Sequence, residues 1–245
     1  MRDSGWQVFP PEPVVLDWVA SALSAALAHD EPLRHGGTWQ VGVDALPNDA
    51  AGRVGDGPPF GGAALRAAGA MPLHPAQISV VHPGYPRRDP EESEAAHRFR
   101  RNRDAAHLDG LLPEGPGRRR HLREPHAWIL GIALTEADAQ AAPLVIWEGS
   151  HHVIGVAFAQ IFEGIPPGAW GDLDVTEAYQ AARAKVFETC RRRALPLRVG
   201  ETVLLHRHLI HGVAPWAEGG RADPAGRAIA YFRPCFEQVE RWLNA

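Results

Sequence analysis

The chain has 245 residues, 45% of them hydrophobic and 22% charged, with a net charge of −4. This excludes disordered, collagenous and coiled-coil chains and leaves ample length for a core. The charge gives no electrostatic case for nucleic acid, no apolar run reaches the ~20 residues of a membrane helix, and MRDSGWQVFPPEP lacks a signal-peptide core. Only Cys190 and Cys235 are present, too few for a disulfide framework, so a reducing cytoplasm is expected.

In chain order, Val15, Trp18, Val19, Ala22, Leu23, Ala26 and Leu27 recur at helical spacing and predict a helix over 12–28. Gly36-Gly37 opens a predicted strand, TWQVGVDAL, and the turn-rich residues 47–62 read as a loop. A short helix over Ala63–Ala68 precedes a strand at 77–83, stopped by Pro83-Gly84. Residues 90–103 read as a helix with Pro90 in its first turn, acids early and arginines late. AAHLDG reads as a short strand, and 126–135 and 142–151 as strands rich in β-branched and aromatic residues. A helix over 174–193 with Asp174 as N-cap follows. The chain ends in short strands within LPLRVGETVLLH, LIHGVAPW and RAIAYFRP. Many short strands, no repeat and no linker predict one domain, mainly β with added helices, arranged as a sandwich or barrel.

Lys185 is the only lysine, and GxxxxGK[ST], GxGxxG, GxSxG and HExxH are all missing. Thirteen histidines remain, which turns attention to metal chemistry. In Ala106-His107-Leu108-Asp109-Gly110, a histidine and a carboxylate two apart on a strand would share a face. LLHRHLIHG offers His206, His208 and His211 as a third ligand. Two histidines and one carboxylate leave open positions, as in non-haem Fe(II) oxygenases. An HxD alone more often marks a structural pair than a ligand pair. Its context here, between strand-like segments and followed by a histidine cluster and an arginine-bearing strand, strengthens the metal reading.

From Gln77 to Pro234 the chain resembles the phytanoyl-CoA dioxygenase family of Fe(II)/2-oxoglutarate oxygenases. The resemblance lies in His107-Leu108-Asp109, Trp147-Glu148-Gly149-Ser150-His151, Gly200-Glu201-Thr202-Val203-Leu204-Leu205, Leu209-Ile210-His211-Gly212 and Arg227-Ala228-Ile229-Ala230. It implies a double-stranded β-helix, a jelly-roll, cupin-like barrel over 1–245, with residues 1–75 as an extension packed on it. It also implies Fe(II) on His107, Asp109 and His211, and 2-oxoglutarate as co-substrate with its far carboxylate on Arg227. An arginine suits that role because its planar fork pairs both carboxylate oxygens. Arg233 shares a strand face with Arg227 by parity, and Arg221 lies in the intervening loop, so both remain rivals. Related halogenases replace the aspartate with a small residue, so Asp109 implies hydroxylation of a small organic substrate by O2.

His206 and His208 alternate along a strand and keep open a cupin-type metalloenzyme that does not use 2-oxoglutarate. A non-catalytic small-molecule-binding barrel is the other alternative. His151 and His152 read as turn residues, and the tryptophans as core. Arginines crowd 98–103 and 118–123, on both sides of the HxD. Such runs are usually solvated or ion-paired, but here they also suggest a basic rim for an anionic substrate.

Overall fold

A computed structural model describes residues 3–244. The strands are β1 (Trp6–Phe9), β2 (Trp39–Gly42), β3 (Gln77–Val81), β4 (Leu111–Glu114), β5 (Arg119–Leu122), β6 (Trp128–Ala133), β7 (Leu144–Glu148), β8 (Arg191–Leu195), β9 (Thr202–His206), β10 (His211–Val213) and β11 (Arg227–Phe232). The helices are α1 (Pro13–Leu27), α2 (Ala63–Ala68), α3 (Glu94–Asn102), α4 (Ser150–Ile161), α5 (Thr176–Thr189) and α6 (Arg241–Asn244), with a 3-10 turn over Pro167–Asp172.

The fold is mainly β, and its strands pair antiparallel. A six-stranded sheet runs β1-β9-β6-β11-β3-β2, a three-stranded sheet runs β10-β7-β8, and β4 and β5 form a hairpin. Side-chain alternation sets what each face of the larger sheet meets. Ile229 and Tyr231 of β11 pack with Ile129, Val203 and Leu205, and with Leu144, Ile146 and Leu195 from the smaller sheet. The two sheets therefore share this core. Ala228, Ala230 and Phe232 face the other way, into a cluster with Val15, Trp18, Val19 and Ala22 of α1. Trp18 is fully buried, meets Phe60 edge-on at 5.0 Å and Phe232 at 5.8 Å, and its indole N–H donates to the Gly52 carbonyl at 2.6 Å.

The helix expected over 12–28 and that over Ala63–Ala68 are present. Several other expectations change. The 90–103 helix starts at Glu94, because the Ser93 hydroxyl accepts from Ala96 N–H and caps it there, leaving Pro90 outside. The 142–151 strand ends at Glu148, where Gly149 turns at φ +80° into α4. His151 and His152 thus lie in the first turn of a helix the sequence reading missed. The 174–193 helix stops at Thr189, and Arg191–Leu195 is a strand paired to β7. Asp174 does accept from Thr176 N–H and Oγ1–H, but from just ahead of the N-cap position. β1, β4, β5 and α6 also escaped notice; each is only four residues long, too short for a period to register.

Trp18→Ala should destabilise the protein by about 3–5 kcal/mol in urea denaturation, since it opens a cavity between α1 and the sheet. Trp18→Phe should cost distinctly less. A loss below about 1 kcal/mol for the alanine variant would mean that α1 contributes little to this core.

Candidate metal centre

The segment carrying His107 and Asp109 is not the strand expected from AAHLDG. Asp104 and Ala105 both have positive φ, +54° and +53°, and the chain then makes a single antiparallel bridge, His107 to His211. In that bridge His107 N–H donates to His211 C=O at 2.9 Å, and His211 N–H returns to His107 C=O at 3.1 Å. Asp109 follows at the turn into Gly110, whose φ is +85°. A Cβ on Gly110 would stand 2.1 Å from the Glu124 carbonyl, and one on Gly212 would stand 2.1 Å from the Asp104 carbonyl. The glycines after Asp109 and after His211 are therefore requirements of close backbone approach.

The two imidazoles are set alike. His107 Nδ1 lies 3.0 Å from the Ala105 carbonyl and His211 Nδ1 lies 3.0 Å from the Leu209 carbonyl. A carbonyl can only accept, so each Nδ1 carries a proton and each Nε2 offers its lone pair whenever the ring is neutral. Both Nε2 atoms face Asp109 Oδ1, at 3.2 Å from His107 and 3.7 Å from His211. Ligand atoms of the three residues all lie within 4.8 Å of one another, and this is the one such group of three or more among the described residues. Asp109 and His211 are largely buried, while the His107 side chain is 47% exposed, so the cluster is reachable from one side.

The charges at this point act strongly on one another. Burial opposes charge on Asp109, yet His211, the His107 hydrogen bond and the Arg233 charge hold its pKa well below the usual carboxylate range. Burial pushes the His211 pKa down to about 4 against the pull of Asp109. Burial also disfavours a charged His107, but the bond to Asp109 and its charge outweigh it and raise that pKa. Two imidazole nitrogens and one carboxylate oxygen fit a divalent transition metal, and they leave the remaining coordination positions to other molecules.

Arg233 and Arg227 share the inner face of the β11 line, as parity requires, but do different things. Arg233 Nη1 contacts Asp109 Oδ2 at 3.3 Å and so holds the oxygen not turned to the imidazoles. Arg227 is 5% exposed, its Nη1 has no hydrogen-bond partner, and no described carboxylate lies within ion-pair distance. Burial lowers its pKa, and the nearby Tyr231 hydroxyl partly offsets this. Arg221 is exposed in the loop, where its backbone N–H bonds Asp138. A cavity of about 640 Å³ lies against Arg233, bounded also by His74, Glu124, His126 and Cys235.

Other motif residues serve the site indirectly. Ser150 Oγ accepts from Ile210 N–H at 2.9 Å, and Trp147 N–H donates to Ile210 C=O at 3.0 Å, so the segment before His211 is tied to β7 and α4. Sequence reasoning missed the tyrosines. The chain has three, Tyr85, Tyr179 and Tyr231, and all are buried. Tyr231 and Tyr85 act on Arg227 electrostatically, and the Tyr179 hydroxyl accepts from the backbone between His107 and Asp109. The usable signal was their scarcity, since each buried hydroxyl needs a partner.

The arginine runs do not build the expected rim. Arg119 pairs with Asp174 and Glu177, and Arg123 with Glu114. Arg120 donates to the Leu111 carbonyl, and Arg103 lies over the Phe187 ring at 4.8 Å. Arg98 and Arg101 line a surface recess with Arg88, Glu94, His97 and Asn102, which contains no residue of the triad. None of these contacts is with the triad, so the arginines named here form no basic rim around it.

His206 and His208 do not alternate along a strand face. His206 ends β9, and His208 lies in the turn beyond it. Ring centroids are 4.9 Å apart for His151 and His206, 5.2 Å for His206 and His208, and 4.3 Å for His208 and Trp242. These rings pack into a cluster of their own.

No model of a known protein family matches the sequence, and no curated protein matches it, so the phytanoyl-CoA dioxygenase resemblance is one of motifs. Solved structures with a similar chain path include SnoK, a non-heme alpha ketoglutarate dependent carbocyclase from nogalamycin biosynthesis. It is 16% identical over 95% of this chain and 81% of its own, with a TM-score of 0.48. EctD from S. alaskensis, with 2-oxoglutarate and 5-hydroxyectoine, is 16% identical over 95% of this chain and 73% of its own, with a TM-score of 0.43. AviO1 from Streptomyces viridochromogenes Tue57 is 17% identical over 97% and 92%, with a TM-score of 0.43. At such distances function has to come from the site's own residues.

The separate histidine cluster makes a pH prediction. Burial first, then Arg207 and neighbouring histidines, pushes the His206 pKa down to about 3 and that of His208 well below its ordinary value. Unfolded, both protonate near 6.5. Below that pH the unfolded chain binds more protons, so stability is whole above about pH 6.5 and falls as pH drops, by about 1.4 kcal/mol per unit per histidine. Urea denaturation near pH 7 and near pH 5 should show a smaller loss for His208→Gln than for the wild type. Equal losses would contradict the assignment.

Proposed function

We propose that this chain is a non-haem Fe(II)- and 2-oxoglutarate-dependent oxygenase that hydroxylates a small organic molecule. In this reading it is a single domain, a jelly-roll of the double-stranded β-helix type. The observation that carries the proposal is the convergence of His107, Asp109 and His211, supported by a buried arginine on β11 that lacks a carboxylate partner.

His107 and His211 would hold the iron through Nε2, and Asp109 through the oxygen that Arg233 leaves free. Bound there, iron supplies sites for a chelating keto acid and for O2, coupling oxidation of the one to oxidation of the substrate. The chain's own residues do the rest. The Ala105 and Leu209 carbonyls fix the ring tautomers. Arg233 keeps Asp109 ionised and oriented. Arg227 offers its fork to the far carboxylate of 2-oxoglutarate, with the Tyr231 hydroxyl as its neighbour. A buried guanidinium without a counter-ion is costly, and an anionic co-substrate would remove that cost on binding. The cupin-type alternative loses its support, since His206 and His208 pack against one another and Trp242.

Anaerobic titration tests both halves. His107→Ala or His211→Ala should abolish stoichiometric Fe(II) binding, while His208→Ala should retain it. Arg227→Ala should raise the 2-oxoglutarate Kd at least about tenfold, equivalent to ~1.4 kcal/mol. Full iron retention in His211→Ala would move the ligand to another histidine. Unchanged co-substrate affinity in Arg227→Ala, with a large loss in Arg233→Ala, would move the anchor to Arg233.

A further inference from the structure

Leu108 lies between His107 and Asp109. Its side chain is 3% exposed and packs in the larger core cluster. Its backbone N–H donates instead to the Tyr179 hydroxyl on α5, at 3.0 Å. Tyr179 is itself 3% exposed, so this hydrogen bond is sheltered from water. Arg183, also on α5, donates to the Ala106 carbonyl at 3.3 Å and lies over the Phe99 and Tyr179 rings at 4.7 and 5.2 Å. Arg192 on β8 grips the buried Asp104 through two bonds of 2.7 Å. Side chains from one stretch, α5 and β8, thus bond the segment at Asp104, Ala106 and Leu108.

That segment needs holding. Asp104 and Ala105 occupy the left-handed region, which side chains other than glycine disfavour, and such a conformation persists where its surroundings enforce it. The His107–His211 bridge fixes the segment on one side of Leu108. On the other side the chain turns at once into Asp109 and Gly110.

We infer that Tyr179 is a positioning residue for the metal centre. Its hydroxyl fixes the peptide between His107 and Asp109, so that the imidazole and the carboxylate meet at one point before any metal arrives. The inference rests on His107, Asp109 and His211 being the metal centre. Removing the hydroxyl leaves the ring packed but strands the Leu108 N–H, and the segment then relaxes to find another acceptor. The cost falls on metal affinity, as it does when a hydrogen bond behind a ligand is lost.

The test uses the full-length protein with Co(II) alone as the probe. Tyr179→Phe should raise the Co(II) Kd at least about tenfold and change the visible d–d absorption of the loaded protein, which reports ligand geometry rather than stability. Asp174→Ala is the control. It removes the acceptor for Thr176 at the start of α5 without touching the segment, and it should lower Tm while leaving the Co(II) Kd and spectrum unchanged. A Tyr179→Phe protein with wild-type Kd and spectrum overturns the inference, as does an Asp174→Ala protein that reproduces both changes. Co(II) binding that survives His211→Ala overturns the metal-centre reading and this inference with it. Amide exchange gives a reading without any variant. Leu108 should be protected in the metal-free wild type, and exchange at the rate of an open loop overturns the role given to Tyr179.

Discussion

Two backbone hydrogen bonds between His107 and His211 set the geometry on which the rest of the site depends. They join a segment entered through left-handed residues to the first residue of β10, and β10 belongs to the smaller sheet through β7. With the backbones fixed face to face, the rings lie 4.6 Å apart between centroids, and each Nδ1 finds the carbonyl two residues before it. The two Nε2 atoms then point the same way, toward Asp109. The close approach also accounts for Gly212, where a side chain would strike the Asp104 carbonyl, while Gly110 is required separately by the Glu124 carbonyl.

The charges around this pair fall into two settings. Asp109 is buried but compensated by two imidazoles and by Arg233, so it remains ionised and ready to hold a cation. Arg227, at the far end of the same strand face, is buried with a phenol for company and no carboxylate. One end of the inner face therefore holds a carboxylate among imidazoles, and the other a guanidinium without a carboxylate. A keto dicarboxylate on a metal satisfies both at once, and this complementarity is the physical content of the proposed function.

Much of this was legible in the residues because it was local. The spacing of Val15, Trp18, Val19 and Ala22 predicts α1, and the parity of Arg227 and Arg233 places them on one face. The ligand segment was harder. An HxD read as a strand puts His107 and Asp109 on one face for the wrong reason; in the folded chain a bridge and a glycine turn bring them together. Tyr179 was invisible because its partner is a backbone N–H far away in the chain, and no periodicity records such a bond. The arginine runs misled for the opposite reason. The fold brings Asp174, Glu177 and Glu114 alongside Arg119 and Arg123, turns Arg120 to a backbone carbonyl and lays Arg103 on the Phe187 ring, contacts that composition does not record.

The central claim is that His107, Asp109 and His211 hold iron while Arg227 holds 2-oxoglutarate. Its most direct test is a crystal structure of the protein loaded anaerobically with both, with anomalous diffraction recorded at the iron edge. The account predicts one iron peak bonded by His107 Nε2, His211 Nε2 and an Asp109 oxygen, with the far carboxylate of 2-oxoglutarate paired to the Arg227 guanidinium. An iron peak among His151, His206 and His208, or 2-oxoglutarate bound away from Arg227, would contradict it.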